Sequence, residues 1–71
     1  MTKVVAHITG TVWKIQCSIG QTVAEGDVLL ILESMKMEMP LESPEAGIIE
    51  SIHCSESQPV NEGDVLVVLK T

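Results

Sequence analysis

The 71-residue sequence predicts an all-β fold: eight short strands in two four-stranded antiparallel sheets, closed into a flattened barrel or sandwich with an internal pseudo-twofold repeat. Three observations predict it. Val, Ile and Thr, the types that fit a pleated surface, supply 21 of the 71 residues. Residues 10–34 recur without a gap at 47–71 with 12 of 25 positions identical, including Gly10/Gly47, Cys17/Cys54, Gln21/Gln58 and Glu25-Gly26-Asp27/Glu62-Gly63-Asp64. Two copies at this spacing are too few for a solenoid, so they are expected to pack as two halves about a twofold axis. Finally, no segment sustains a helical period.

The elements follow in order. Val4–Ile8 opens the first half, and Met39–Ser43 occupies roughly the matching place in the second. Next, Trp13, Ile15, Cys17 and Ile19 alternate with Lys14, Gln16 and Ser18, a period of two that predicts one buried and one wet face. The second copy places Ile48, Ile52 and Cys54 on the expected buried side but has Glu50 where Trp13 stood, which puts Trp13 near an end of the barrel. A short strand around Val23 or Val60 leads into Glu-Gly-Asp, a turn in which glycine supplies positive φ. Because Glu25, Asp27, Glu62 and Asp64 are duplicated inside these turns, they are read as structural rather than as acid–base groups. An apolar run, Val28–Leu32 or Val65–Leu69, closes each half.

Length and charge narrow the functions. A chain of 71 residues suits one domain, 1–71, with halves at about 1–34 and 38–71. A domain this small buries only about 60% of the surface its unfolded chain exposes, too little to enclose a deep multi-residue active site. The net charge is −6 with no Arg, and Lys3, Lys14, Lys36 and Lys70 make no basic patch, so neither nucleic acid nor an anionic membrane is an expected partner. Trp13 alone cannot build a stacking platform. The apolar runs are too short to span a bilayer and no secretion signal precedes them, so the expected location is cytoplasmic. There Cys17 and Cys54 are expected to be reduced packing thiols. No metal site is expected, since His7 and His53 lack ligand spacing with either cysteine.

The repeat is interrupted at one place. Strand residues end at Leu32-Glu33-Ser34 and resume near Glu38-Met39, so the chain must reverse at Met35-Lys36. Two-residue hairpin turns favour Gly, Asn or Asp because their central residues take positive φ, yet Met and Lys stand there. A locally disfavoured choice in a regular fold marks a place where function overrides propensity. Met35 and Met37 set flexible apolar side chains beside Lys36 at the expected tip, a waste of burial unless a partner covers them, while Met39 is expected to turn inward. An amine at such a tip also lacks the desolvation that activates a Schiff-base lysine. Lys36 therefore reads as the target of chemistry performed by another protein.

Glu33-Ser34-Met35-Lys36-Met37-Glu38-Met39 resembles the biotin-attachment motif, usually Ala-Met-Lys-Met, of the biotin/lipoyl attachment domain family. Gly10-Thr11-Val12, Val23 with Glu25-Gly26-Asp27, Ala46-Gly47-Ile48 and Val60 with Glu62-Gly63-Asp64 resemble the framework of that family, so the likeness spans essentially the whole chain. It is greatest to the small stand-alone members of the biotin carboxyl carrier type. Ser34 departs from the usual Ala, and Gln16 passes to Gln21 without the thumb insertion of some acetyl-CoA carboxylase carriers.

The resemblance implies that a biotin protein ligase joins biotin to Lys36, with Met35 and Met37 as recognition residues and Ser34, Glu33 and Glu38 flanking them. It further implies a carboxyl group shuttled between biotin carboxylase and carboxyltransferase components, with no catalytic residue on this chain. The lipoyl branch of the family carries Asp-Lys-Ala where this sequence has Met35-Lys36-Met37. That difference favours biotin, with lipoate and a lipoyl ligase as the alternative. Two other readings stay open: an unmodified β-sandwich adaptor, and an autonomous enzyme using Glu33, Glu38, Glu42 or Glu45.

Overall fold

A computed structural model describes residues 1–71. Eight strands follow one another with no helix: β1 (Thr2–Val5), β2 (Gly10–Ile15), β3 (Thr22–Val23), β4 (Val28–Ser34), β5 (Met37–Glu42), β6 (Gly47–Ile52), β7 (Pro59–Val60) and β8 (Val65–Lys70). They form two four-stranded antiparallel sheets, ordered β1-β8-β6-β3 and β5-β4-β2-β7. The sheets enclose one core that includes Val12, Val23, Leu29, Leu30, Leu32, Ile49, Val60, Leu66, Val67 and Leu69, all but shut off from solvent. No helix is long and apolar enough to cross a membrane.

The 37-residue repeat of the sequence is also a symmetry of the pairing. Leu32 opposite Met39 in one sheet is matched by Leu69 opposite Thr2 in the other, and Thr22 opposite Ile48 by Pro59 opposite Thr11. The turns repeat as well. The backbone N–H groups of Ala24 and Asn61 donate to Asp27 Oδ2 and Asp64 Oδ2 at 2.9 and 2.8 Å, and Gly26 and Gly63 sit at φ 89° and 94°. The Glu-Gly-Asp carboxylates that do close contacts are therefore turn-forming, as the sequence suggests. Gln21 and Gln58 play a second matched part, each accepting a hydrogen bond at 3.0 Å from the backbone of the serine three residues earlier. Gly10 and Gly47 are required by close approach: a Cβ on either would meet the carbonyl oxygen of Glu33 or Lys70.

One expectation fails. Trp13 and Ile19 are 42% and 68% exposed, Ile48 is 43% exposed, and the buried places belong to Val12 and Ile49. Ile19 lies beyond β2, in the turn closed by Ser18 and Gln21, and the cause at Trp13 and Ile48 is a bulge in each half: the β2–β4 register shifts between Val12 and Lys14, and the β6–β8 register shifts between Ile49 and Ser51. The extra residue puts Val12 and Ile15, and likewise Ile49 and Ile52, on the same face, so alternation counted back from Ile15 and Ile52, which pack inward with Cys17 and Cys54 as expected, misassigns Trp13 and Ile48. Trp13 and Glu50 are the bulged residues themselves. That explains why an indole and a carboxylate occupy equivalent places: both lie in solvent, the indole with the Lys14 ammonium 5.7 Å from its ring centroid.

Candidate functional site at the β4–β5 turn

The β4–β5 hairpin is the longest pairing of the fold, running from Val28 opposite Glu42, through a register shift between Val28 and Leu30, to Ser34 opposite Met37. Leu30, Leu32 and Leu41 point inward from it and are buried. A slip of one residue would turn all three to water, so burial fixes the register. That register leaves two residues, Met35 and Lys36, to reverse the chain, and they do so at φ 53° and 64°. Each conformation costs a residue with a Cβ about 1–2 kcal/mol relative to its right-handed counterpart. The turn is thus imposed by the strands it joins, and its side chains were not chosen for turn propensity.

All six residues singled out in the sequence come together here. Lys36 is exposed at the turn, Met35 is 91% exposed and Met37 58% exposed, while Ser34 is half-buried. Glu33 and Glu38 lie directly opposite one another, one pair in from Ser34 and Met37, with both side chains in solvent. Like charges in that position disfavour the hairpin slightly. Met39 is half-buried against the sheet, as expected of a gap filler. Glu42 and Glu45 lie away from the turn: Glu42 pairs with Val28 at the far end of the hairpin, and Glu45 accepts a hydrogen bond from the Thr2 hydroxyl. They do not join the tip in a common site. The sequence reading overlooked Pro40, which lies on β5, an edge strand. With no N–H to offer a passing strand, it blunts the open edge beside the tip.

The twofold pairs this turn with the chain ends beside Thr2 and Leu69, at opposite ends of a molecule measuring 32 × 18 × 17 Å. Lys36 is therefore presented at one extremity of the long axis. The surface there is convex, with no cavity to enclose a small molecule.

The family model described as "biotin-requiring enzyme", for the biotin/lipoyl family, matches residues 1–69. The chain belongs to this family. It is a biotin/lipoyl carrier domain, and its relatives fall in two groups. Among small proteins, it is 46% identical over 44 residues to the biotinylated protein TB7.3 homolog of Mycobacterium leprae, covering 62% of both chains. It is also 39% identical over 44 residues to the biotin/lipoyl attachment protein of Bacillus subtilis, covering 62% of this chain and 60% of the other. Among large proteins, it is 48% identical over 46 residues to the alpha3 subunit of a biotin-dependent acyl-coenzyme A carboxylase of Mycobacterium leprae, covering 65% of this chain but 8% of that one. The chain thus spans less than two thirds of the length of each of these relatives. The crystal structure of the Kluyveromyces lactis urea carboxylase contains the same biotin/lipoyl fold, with a TM-score of 0.92 and 29% identity over 97% of this chain and 6% of that one.

Proposed function

We propose that this carrier domain, acting as a unit over residues 1–71, is biotinylated on Lys36 and serves a biotin-dependent carboxylase or decarboxylase. One observation carries the reading. The only lysine in a turn between the two halves stands at the extremity of the long axis, between two exposed methionines, on a backbone that disfavours both turn residues. The donor set suits biotin, because the primary amine can form an amide, the convex tip leaves the acyl arm free, and the methionine surfaces are apolar.

In the attachment step the neutral Nζ of Lys36 attacks the acyl carbon of biotinyl adenylate held by a biotin protein ligase. The C–N bond forms, AMP leaves with the electron pair of the C–O bond, and the amine gives up a proton. The lysine cation is lost, which takes the net charge from −6 to −7. Met35 and Met37 give the ligase an apolar contact that disappears from solvent on docking, and Glu33, Ser34 and Glu38 border it. When bound, biotin supplies a ring nitrogen that carries a carboxyl group. The strands of the domain hold the attachment point rigid at one end, so the reach of the arm is set by the lysine side chain and the attached acyl chain alone. Tethering then replaces diffusion between the biotin carboxylase and carboxyltransferase components with a high effective concentration. Both components and the ligase are the proposed partners, in the cytoplasm.

Intact mass of the chain purified from cells supplied with both biotin and lipoate tests the reading. A single biotinyl addition is expected. A lipoyl addition would move the chain to the other branch of its family, and an unmodified chain in cells whose own carrier is biotinylated would support an adaptor.

A further inference from the structure

Neither cysteine takes part in the carrier chemistry, and the fold brings together the segments that carry them. β2 runs inward from the tip, from Thr11 opposite Glu33 to Ile15 opposite Leu30, while β6 runs inward from the other end, from Ile48 opposite Lys70 to Ile52 opposite Val67. Each then crosses to the other sheet, and the crossing segments begin with Gln16-Cys17 and His53-Cys54. Each runs beside the strand of the other half: the backbone N–H of Ile15 donates to Glu56 Oε2 at 3.1 Å, that of Ser57 to the Val12 carbonyl at 2.7 Å, and that of Gly20 to the Ile49 carbonyl at 2.7 Å. The backbone two positions before Cys17 is thus held by the side chain two positions after Cys54. Cys17 is a member of the buried core, and Cys54, half-buried, packs against that same core.

We propose that Cys17 and Cys54 form a redox-responsive pair that closes to a disulfide across the pseudo-twofold axis. Cys54, the more accessible, reacts first. Its thiolate attacks a small disulfide such as oxidised glutathione, forming a mixed disulfide and releasing one glutathione thiolate. Cys17 then gives up its proton and attacks the Cys54 sulfur, expelling the second glutathione, so that two thiols are oxidised and one glutathione disulfide is reduced. The closed bridge encloses residues 17–54, which include the whole β4–β5 hairpin and Lys36, and it ties one half of the repeat to the other.

Burial pushes both thiols above their ordinary range, and the charge of Cys17 adds to the upward push on Cys54. The same effect keeps the thiolate fraction small, so closure is slow at neutral pH and speeds up as pH rises.

The test uses the full chain carrying Lys36→Arg, which leaves no attached cofactor to exchange with thiols. The folded protein is incubated with oxidised glutathione at alkaline pH and read by intact mass, alkylation of free thiols and thermal midpoint. The pair is expected to lose two hydrogens, become resistant to alkylation and raise the midpoint. With Cys17→Ala added, a single glutathione should be trapped on Cys54. With Cys54→Ala instead, Cys17 should stay unmodified while the chain is folded. Circular dichroism confirms folding of each variant, and the parent carries the test if either fails to fold. The proposal is overturned if the parent keeps both thiols, if a mixed disulfide accumulates on Cys54 with Cys17 present, or if the bridge forms only in denaturant.

Discussion

Ser57 stands at φ 73° in the place where the pseudo-twofold puts Gly20 at φ 89°. Both are the third residue of a four-residue turn: Gln21 N–H donates to the Ser18 carbonyl at 3.0 Å, and Gln58 N–H to the Ser55 carbonyl at 3.1 Å. Both also donate their own N–H inward, Gly20 to Ile49 and Ser57 to Val12, at 2.7 Å. The contacts are the same, but one half meets them with glycine and the other with a residue that has a Cβ. Ser57→Gly should therefore stabilise the domain, by about 0.5–1 kcal/mol once the greater unfolded-state freedom of glycine is deducted from the strain relieved. Chemical denaturation of the two proteins reads the difference. An unchanged or lowered midpoint would mean that Ser57 is not strained.

Gly26 and Gly63 make the opposite test. Both have positive φ, and nothing lies within 4 Å of where a Cβ would point, so a substitution meets no steric neighbour. Gly26→Val and Gly63→Val should each still cost roughly 1–3 kcal/mol, because a β-branched residue is strained in that backbone region whatever the space around it. Thermal midpoints that stay put in both variants would remove the conformational explanation for the repeated glycine.

Alkaline pH should weaken the fold through the thiols. Burial raises Cys17 and Cys54 above their ordinary value of 9.0, with the charge of Cys17 a lesser contribution at Cys54. The folded chain then holds these two protons to higher pH than the unfolded chain does, so their contribution is full below pH 9.0 and is lost as pH rises through the folded values. The chain has no Tyr, so no phenol titrates in that window. Denaturant midpoints measured under reducing conditions between about pH 8 and about pH 10 should fall for the parent, and fall less for the Cys17→Val/Cys54→Val double variant. Equal slopes would show that the thiols are not the cause.

Choice of cofactor should rest on the two methionines. Met35→Asp with Met37→Ala removes both apolar contacts and puts a carboxylate against an apolar ligase surface, where it is desolvated without a partner. Biotin ligase should lose the substrate by about tenfold or more, as expected for a desolvation cost of at least 1.4 kcal/mol, while attachment by a lipoyl ligase should hold steady or rise. A competition between the two purified ligases, read by intact mass, checks this. Biotinylation at the parental rate would mean that the methionines are not recognition residues.

The turns and the tip were legible in the sequence for one physical reason. A residue forced into positive φ leaves a compositional trace, either glycine in the repeated Glu-Gly-Asp or, at Met35-Lys36, the conspicuous lack of one. The bulges left no such trace. Trp13 and Glu50 are extra residues in their strands, and nothing in their chemistry announces a register shift. Ile48 therefore looked buried and Ile49 looked wet, when the reverse holds. Val12 and Ile49 could have been recognised by their matched place in the repeat, since both are apolar and offset by 37 residues. Ser57 was hidden similarly, because the identity breaks there while the conformation persists.

The central claim is that Lys36 alone accepts the cofactor, and attachment by a purified biotin ligase with biotin and ATP tests it most directly. Parent and Lys36→Arg chains, shown by circular dichroism to be equally folded, are compared by intact mass and peptide mapping. Arginine keeps the charge and the turn but stays protonated and is a poor nucleophile. The parent should gain one biotinyl group, mapped to Lys36, and Lys36→Arg should gain none. Biotin found on Lys3, Lys14 or Lys70, or a Lys36→Arg chain that is still biotinylated, would contradict the assignment.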